Sequence, residues 1–196
     1  EACAITFCLV IDDFGVQYVR HDNAEYLMTV LKKLYKITHN WTSSLYCSLT
    51  LKWDYDACTI DVSMPGYIDK ALSHFKVPIS TKWQDSPHAW IPPSYNQPIQ
   101  YTLPEDDSAP LSPAGITCLQ EIIGVLLYYA QAVDSTMLIA LGSLASAQSK
   151  GTEANACAAT QLLNYGTTHP DVVLQYNASD MVLHVHSDAS YLSEHH

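Results

Sequence analysis

Two adjacent carboxylates, Asp12 and Asp13, stand between two short apolar runs. Before them, Ile5, Phe7, Leu9 and Ile11 alternate with Thr6, Cys8 and Val10. After them, Phe14, Val16 and Tyr18 alternate with Gly15, Gln17 and Val19. Period-two runs about a polar tip predict a β-hairpin with Asp12-Asp13 at its turn. Two neighbouring anions repel one another when bare and become favourable around a divalent cation. A hard cation such as Mg²⁺ takes carboxylate and phosphate oxygens, and a two-metal site can align an attacking hydroxyl with a phosphoryl group. Asp is also an ordinary turn residue. Buried strands on both sides, holding the acids rigidly, are what would separate a clamp from a plain bend, and the flanks here read as such strands.

A second constellation is His184-Val185-His186-Ser187-Asp188. Residues i, i+2 and i+4 of a strand share a face, so two imidazoles and a carboxylate there could bind zinc. The run is similar to the His-x-His-x-Asp-His pattern of metallo-β-lactamase-type hydrolases, with Ala189 in place of the last His. The plainer reading is a half-exposed strand face beside one acidic residue. Glu105-Asp106-Asp107 reads as a solvated loop. Of the four tryptophans, Trp41 and Trp53 read as sheet packing, and Trp83 and Trp90 as anchors for a proline-rich stretch. No nucleophile elbow, P-loop or dinucleotide fingerprint occurs.

The elements around these residues can be laid out in order. Asp22, three residues before Glu25, is a helix-start signature. Leu27, Val30, Leu31 and Leu34 then predict a helix over 23–35. Leu45 to Trp53 alternate as one strand, Asp54–Cys58 turn, and Ile60, Val62 and Met64 return. Pro65-Gly66 stops that strand, and Tyr67–Phe75 form a short helix. Residues 78–113 hold eight of the ten prolines, which excludes regular elements there. Residues 114–166 read as three helices, the second started by Asp134 or Ser135 and the third by Thr152. Small residues between Gly142 and Ala147 suggest close helix approach. Two strands, Val172–Tyr176 and Met181–Ser187, are expected to end the chain.

Composition bounds the rest. With 196 residues and 48% apolar content, the chain can bury a core and is not wholly disordered. The longest apolar stretch, Ile122–Ala130, is short of the roughly 20 residues a membrane span needs. Nine Lys and Arg against twenty Asp and Glu leave a net charge of −11, which repels phosphate backbones. Six cysteines without metal spacing suit a reducing compartment, as small buried hydrophobes. Asn40-Trp41-Thr42 and Asn177-Ala178-Ser179 match the glycosylation pattern by chance.

Phe7–Val19 resembles the aspartate hairpin of the reverse-transcriptase palm, whose tip reads aromatic-x-Asp-Asp. Later segments keep the order of copia-type retrotransposon polyproteins. Leu45–Leu51 resembles the strand pair that grips the primer, and Ser63–Leu72 the segment after it. Ile123–Ala130 and Ala158–Tyr165 resemble helices joining polymerase to nuclease. His186–Ser190 resembles the first strand of RNase H. The resemblance implies an α+β fold. Residues 1–77 would be a partial palm, 78–113 a linker, 114–170 a helical connection, and 171–196 the start of an RNase H-like domain. Asp12 and Asp13 would hold Mg²⁺ or Mn²⁺ for polymerisation, and Asp188 would hold metal in the nuclease site. Lys32 or Lys33 would approach a triphosphate, or equally form a solvated helix face.

The implied partners are an RNA template, a DNA primer, deoxynucleoside triphosphates and the rest of the polyprotein, with no membrane. The implied setting is cytoplasmic, with a virus-like particle or the nucleus open to the parent element. Val10 stands where the family has an aromatic, and Cys47-Ser48 where Leu-Gly is common. A third palm carboxylate is expected on a strand before Glu1, and further nuclease carboxylates after His196, so this chain alone is expected to be silent. A non-catalytic remnant acting as a binding module is the alternative that the acidic charge favours.

Overall fold

The computed structural model describes residues 5–76, 83–89 and 106–180, together with 182, 185 and 187. The expectations for His184, His186, Asp188, Glu105 and Trp90 lie outside the described residues, as does most of the second C-terminal strand. The described chain is mixed α+β with antiparallel strand pairs, and it divides into two compact units.

The first unit runs to Met64 and takes in Gln175–Asn177. Strands β1 (Ile5–Val10) and β2 (Asp13–Tyr18) form the expected hairpin, in register from Ile5 opposite Tyr18 to Val10 opposite Asp13. The turn is one residue earlier than the sequence suggests. Ile11 and Asp12 make the bend, and Asp13 already belongs to β2. Alternation puts Phe7, Leu9, Phe14 and Val16 on one face, where the Phe7 and Phe14 rings stack at 5.1 Å. Phe7 is nevertheless 60% exposed and Leu9 53%.

Helix α1 spans His21–Lys32, two residues earlier than expected, and starts after an extended Arg20 that makes no side-chain cap. Asp22 sits in the first turn, where it complements the helix dipole without capping the end. Ala24 is the buried residue of this helix, while Val30 and, beyond its end, Leu34 are exposed.

The predicted strand 45–53 is two strands. β3 (Leu45–Tyr46) and β4 (Leu49–Asp54) are antiparallel, joined by Cys47 and Ser48. Both joining residues have left-handed backbone, φ +49° and +62°. Positive φ at both central residues is what a two-residue hairpin turn of matching twist requires, normally from Asn-Gly. β5 (Thr59–Ser63) follows a turn in which the Asp54 carboxylate accepts from the Ala57 N–H at 2.8 Å. β6 (Val173–Asn177) completes a four-stranded sheet of order β3-β4-β5-β6, and Gln175 donates to Asp61 at 2.8 Å.

The second unit holds the helices: α2 (Tyr67–Phe75), α3 (Pro113–Ala132), α4 (Leu138–Ala147) and α5 (Glu153–Thr168). α2 has the predicted bounds. Gly66, at φ +70°, turns the chain into it, and Ile68 and Leu72 are buried. It packs on α3 and α5: the Tyr67 hydroxyl donates to the Val125 carbonyl at 2.9 Å, and its ring stacks on Tyr129. Ser112 caps α3, with Pro113 in the first turn, where its missing N–H costs nothing. At 20 residues, α3 is long and apolar enough to cross a bilayer, more than the sequence stretch implied. Yet Leu119, Ile122, Ile123, Leu126, Tyr129 and Ala130 are buried within this unit.

Asp134 starts a single 3₁₀ turn at Ser135–Met137 by accepting from the Thr136 N–H, as expected. Met137, Leu141 and Leu162 are fully buried, each a burial of about 1.5–3 kcal/mol. The expected close approach at Gly142 is absent: a Cβ there would meet nothing within 4 Å. Close approach occurs at Gly151 and Gly166, where a Cβ would lie 3.0 Å from Leu119 and 3.3 Å from Ile68.

The described pieces of the proline-rich stretch have no helix or strand before Pro113, as expected. Residues 106–112 clasp the start of α5. The Glu153 N–H donates to the Ala109 carbonyl, the Ala154 N–H to the Ser108 hydroxyl, and the Leu111 N–H to the Gly151 carbonyl.

Candidate functional site

The hairpin tip is built from Val10, Ile11, Asp12 and Asp13. Ile11 bends at φ +55°, a conformation a β-branched residue rarely adopts, and its side chain is 93% exposed. The bend sets Asp12 on the turn and Asp13 at the first position of β2, both exposed. One oxygen of Asp13 is committed: Oδ2 accepts the Cys47 N–H at 3.1 Å. Asp12 makes no hydrogen bond or ion pair among the described residues, so its two oxygens face solvent. Two adjacent carboxylates, one fastened by an N–H and one open, can take a hard divalent cation through their remaining oxygens.

No described residue joins them as a third ligand. Among the described residues no group of three or more His, Cys, Asp or Glu could hold a metal ion. Lys32, on the last turn of α1, and Lys33 after it are exposed, as a solvated helix end would have them.

The hairpin face that carries Asp13 also carries Cys8, Val10 and Gly15, and here sequence reading missed two neighbours. Tyr46 and Cys47, 34 residues on, lie against it. Gly15 was the available signal. A side chain at that position would meet the Tyr46 ring at 3.3 Å, so the gap in the alternation is where another element comes in. The Tyr46 hydroxyl oxygen is buried and lacks a well-formed hydrogen bond. The Cys8 thiol beside it, then burial and the Cys47 thiol, push its ionisation well above the usual tyrosine range.

The remaining expectations divide. Phe14 packs within the hairpin on Phe7. Tyr18 meets Trp41 edge-on and approaches the His21 ring nitrogen at 3.4 Å. Trp41 sits among His21, His39 and Tyr18 and remains 42% exposed. Trp53 stacks on Tyr55 and donates to the Ser43 carbonyl at 3.0 Å. Trp83 meets His169 edge-on and donates to Asp85, yet stays largely exposed.

Cys8, Cys58, Cys118 and Cys157 are exposed and not the buried hydrophobes expected; their elements present them to solvent. Asp106 and Asp107 are exposed loop residues, as expected, and Asp106 also accepts from the Thr152 hydroxyl at 2.6 Å and from Ser108. The Ser108 hydroxyl, then that of Thr152, hold its carboxyl below the usual range. Asp134 is buried, with one oxygen serving Thr136 and the other without a partner. A half-buried polar network continues from it, through Thr136 to the Tyr165 hydroxyl at 2.9 Å.

Comparison of the chain with protein-family models, with curated proteins and with solved structures found no match.

Proposed function

We propose that this chain is part of a reverse transcriptase/RNase H polyprotein of the copia type, contributing two palm carboxylates to metal-dependent nucleotidyl transfer. The observation that carries the reading is the Asp12-Asp13 tip. A two-residue bend with strained backbone at Ile11 presents one acid on the turn and the next on the first position of β2, and Asp13 is fastened by the Cys47 N–H. In the parent enzyme two divalent ions would polarise a primer hydroxyl and stabilise the leaving diphosphate. Asp12 and Asp13 would hold metal there. The reading implies a further carboxylate from elsewhere in the parent enzyme. The chain alone is therefore silent in primer extension. Asp188, outside the described residues, belongs to the proposal through the sequence resemblance.

Mn²⁺ titration followed by amide relaxation tests the reading. Broadening centred on Ile11–Phe14 and abolished by Asp12→Ala supports the clamp. Broadening spread evenly over the acidic surface, or unchanged in Asp12→Ala, overturns it. Primer extension on a poly-A template should stay at background, and activity lost on Asp12→Ala would refute the silence.

A non-catalytic binding module is the second reading, favoured by the net charge of −11. Binding to an RNA–DNA hybrid across a salt series separates the two. Phosphate contacts weaken steeply as salt rises, and a module that recognises something other than nucleic acid shows no such binding at any salt.

A further inference from the structure

Cys8 and Gly15 are cross-strand partners on the hairpin face that carries Asp13. Because Gly15 has no side chain, the Tyr46 ring lies over it. A Cβ at Gly15 would be 3.3 Å from Tyr46 Cε2 and 3.6 Å from the hydroxyl oxygen. Cys47 follows directly and is fixed above the same face by its N–H bond to Asp13 at 3.1 Å. Two thiols, one on β1 and one on the β3–β4 turn, thus flank one phenol, and both are reduced. The phenol oxygen is buried and its polar neighbours are the two thiols themselves, so the ring must move aside as the thiols meet. Cys8 is exposed and open to attack by a small reagent, while Cys47 is half-buried.

We propose that Cys8 and Cys47 form a redox pair that closes to a disulfide in the presence of a low-molecular-weight disulfide such as oxidised glutathione, fastening the aspartate hairpin to the β3–β4 turn. The Cys8 thiolate attacks one glutathione sulfur, forming a mixed disulfide and expelling one glutathione thiolate. The Cys47 thiolate then attacks Cys8 sulfur, forming the Cys8–Cys47 bond and expelling the second glutathione. The two thiol protons end on the two glutathiones, the protein pair is oxidised by two electrons, and one glutathione disulfide is reduced. The pair bridges 38 intervening residues, and its closure holds the backbone next to Asp13. This inference does not rest on the polymerase reading, since its readout is a covalent bond and no activity enters.

The full chain, native and reduced, is equilibrated with graded ratios of reduced to oxidised glutathione, then alkylated and mapped as peptides without reduction. The expected result is a Cys8–Cys47 peptide pair that rises and saturates with the oxidised fraction. Cys8→Ser and Cys47→Ser each abolish it, Cys58→Ser leaves it unchanged, and Tyr46→Phe preserves it. Glutathione adducts on Cys8 without the internal pair would overturn the proposal. So would Cys8 pairing with Cys58 or another cysteine as often as with Cys47.

Discussion

Replacing Ile11 with Asn should stabilise the β1–β2 hairpin. A left-handed backbone costs an L-residue about 1–2 kcal/mol, and a β-branched side chain is poorly suited to it. Ile11 sits at φ +55° and is 93% exposed, so its removal forfeits almost no burial. Asn tolerates this conformation through local hydrogen bonding of its short side chain. The net gain is about 1 kcal/mol, which slows opening-limited amide exchange about fivefold. The assay is hydrogen exchange of the cross-strand amides of Thr6, Cys8, Gly15 and Gln17, read by NMR. Ile11→Val is the control, because it keeps the β-branch and should change nothing. Equal protection in the Asn variant and the parent, or the same slowing in the Val variant, would refute the strain argument.

The turn between β3 and β4 carries two such residues, so Cys47→Asn with Ser48→Gly should raise the stability of that sheet by about 1–2 kcal/mol in urea denaturation followed at Trp53. Asp106 titrates below its usual value because the Ser108 and Thr152 hydroxyls donate to its anion. Its contribution is therefore complete above the ordinary carboxylate pKa and is lost as pH falls through the lowered one. Asp106→Asn should remove that acid-side slope from the α5 amide protection profile, while the Thr152–Asn155 cap keeps the helix start in place at neutral pH. Leu162 is fully buried among the helices, and Leu162→Ala should cost about 2–5 kcal/mol by thermal unfolding, whereas alanine at the exposed Ile139 should change stability little.

Where the sequence combined a strong stop with clean periodicity, the structure agrees. Pro65-Gly66 and the Ile68, Leu72 spacing define α2 to the residue, and Thr152 caps α5 in a reciprocal pair with Asn155. The failures share a cause: turns made by residues that carry no turn signal. Leu45 to Trp53 alternate without interruption, and nothing in Cys47-Ser48 announces two left-handed residues, so two strands read as one. Ile11 likewise looks like strand, which displaced the expected bend onto Asp12-Asp13. Gly142 lies amid small residues yet faces open space, because close approach is set by which helix face meets a neighbour. The acidic pair was legible as a candidate site. Its neighbours Tyr46 and Cys47 were not, since tertiary pairing across 34 residues leaves only the missing side chain of Gly15 as a trace.

Asp13 has two roles that a pair of substitutions can separate. Its Oδ2 accepts the N–H of Cys47, a residue held at φ +49°, so the carboxylate anchors a strained turn as well as offering charge. Asparagine keeps a carbonyl oxygen in the same place and removes the charge; alanine removes both. A hydrogen bond to a charged acceptor is worth about 1.5–3 kcal/mol and a neutral one about 1. Asp13→Asn should therefore keep part of the protection of the β3–β4 turn amides, losing about 0.5–2 kcal/mol, while Asp13→Ala should open them fully. Mn²⁺ broadening at the tip should fall in both variants, because either change leaves Asp12 as a single carboxylate. If broadening survives in Asp13→Asn, the acid at position 13 anchors the turn alone and the paired-carboxylate argument fails. If protection is lost equally in both, the anchor depends on charge, and the metal and the Cys47 N–H compete for one oxygen.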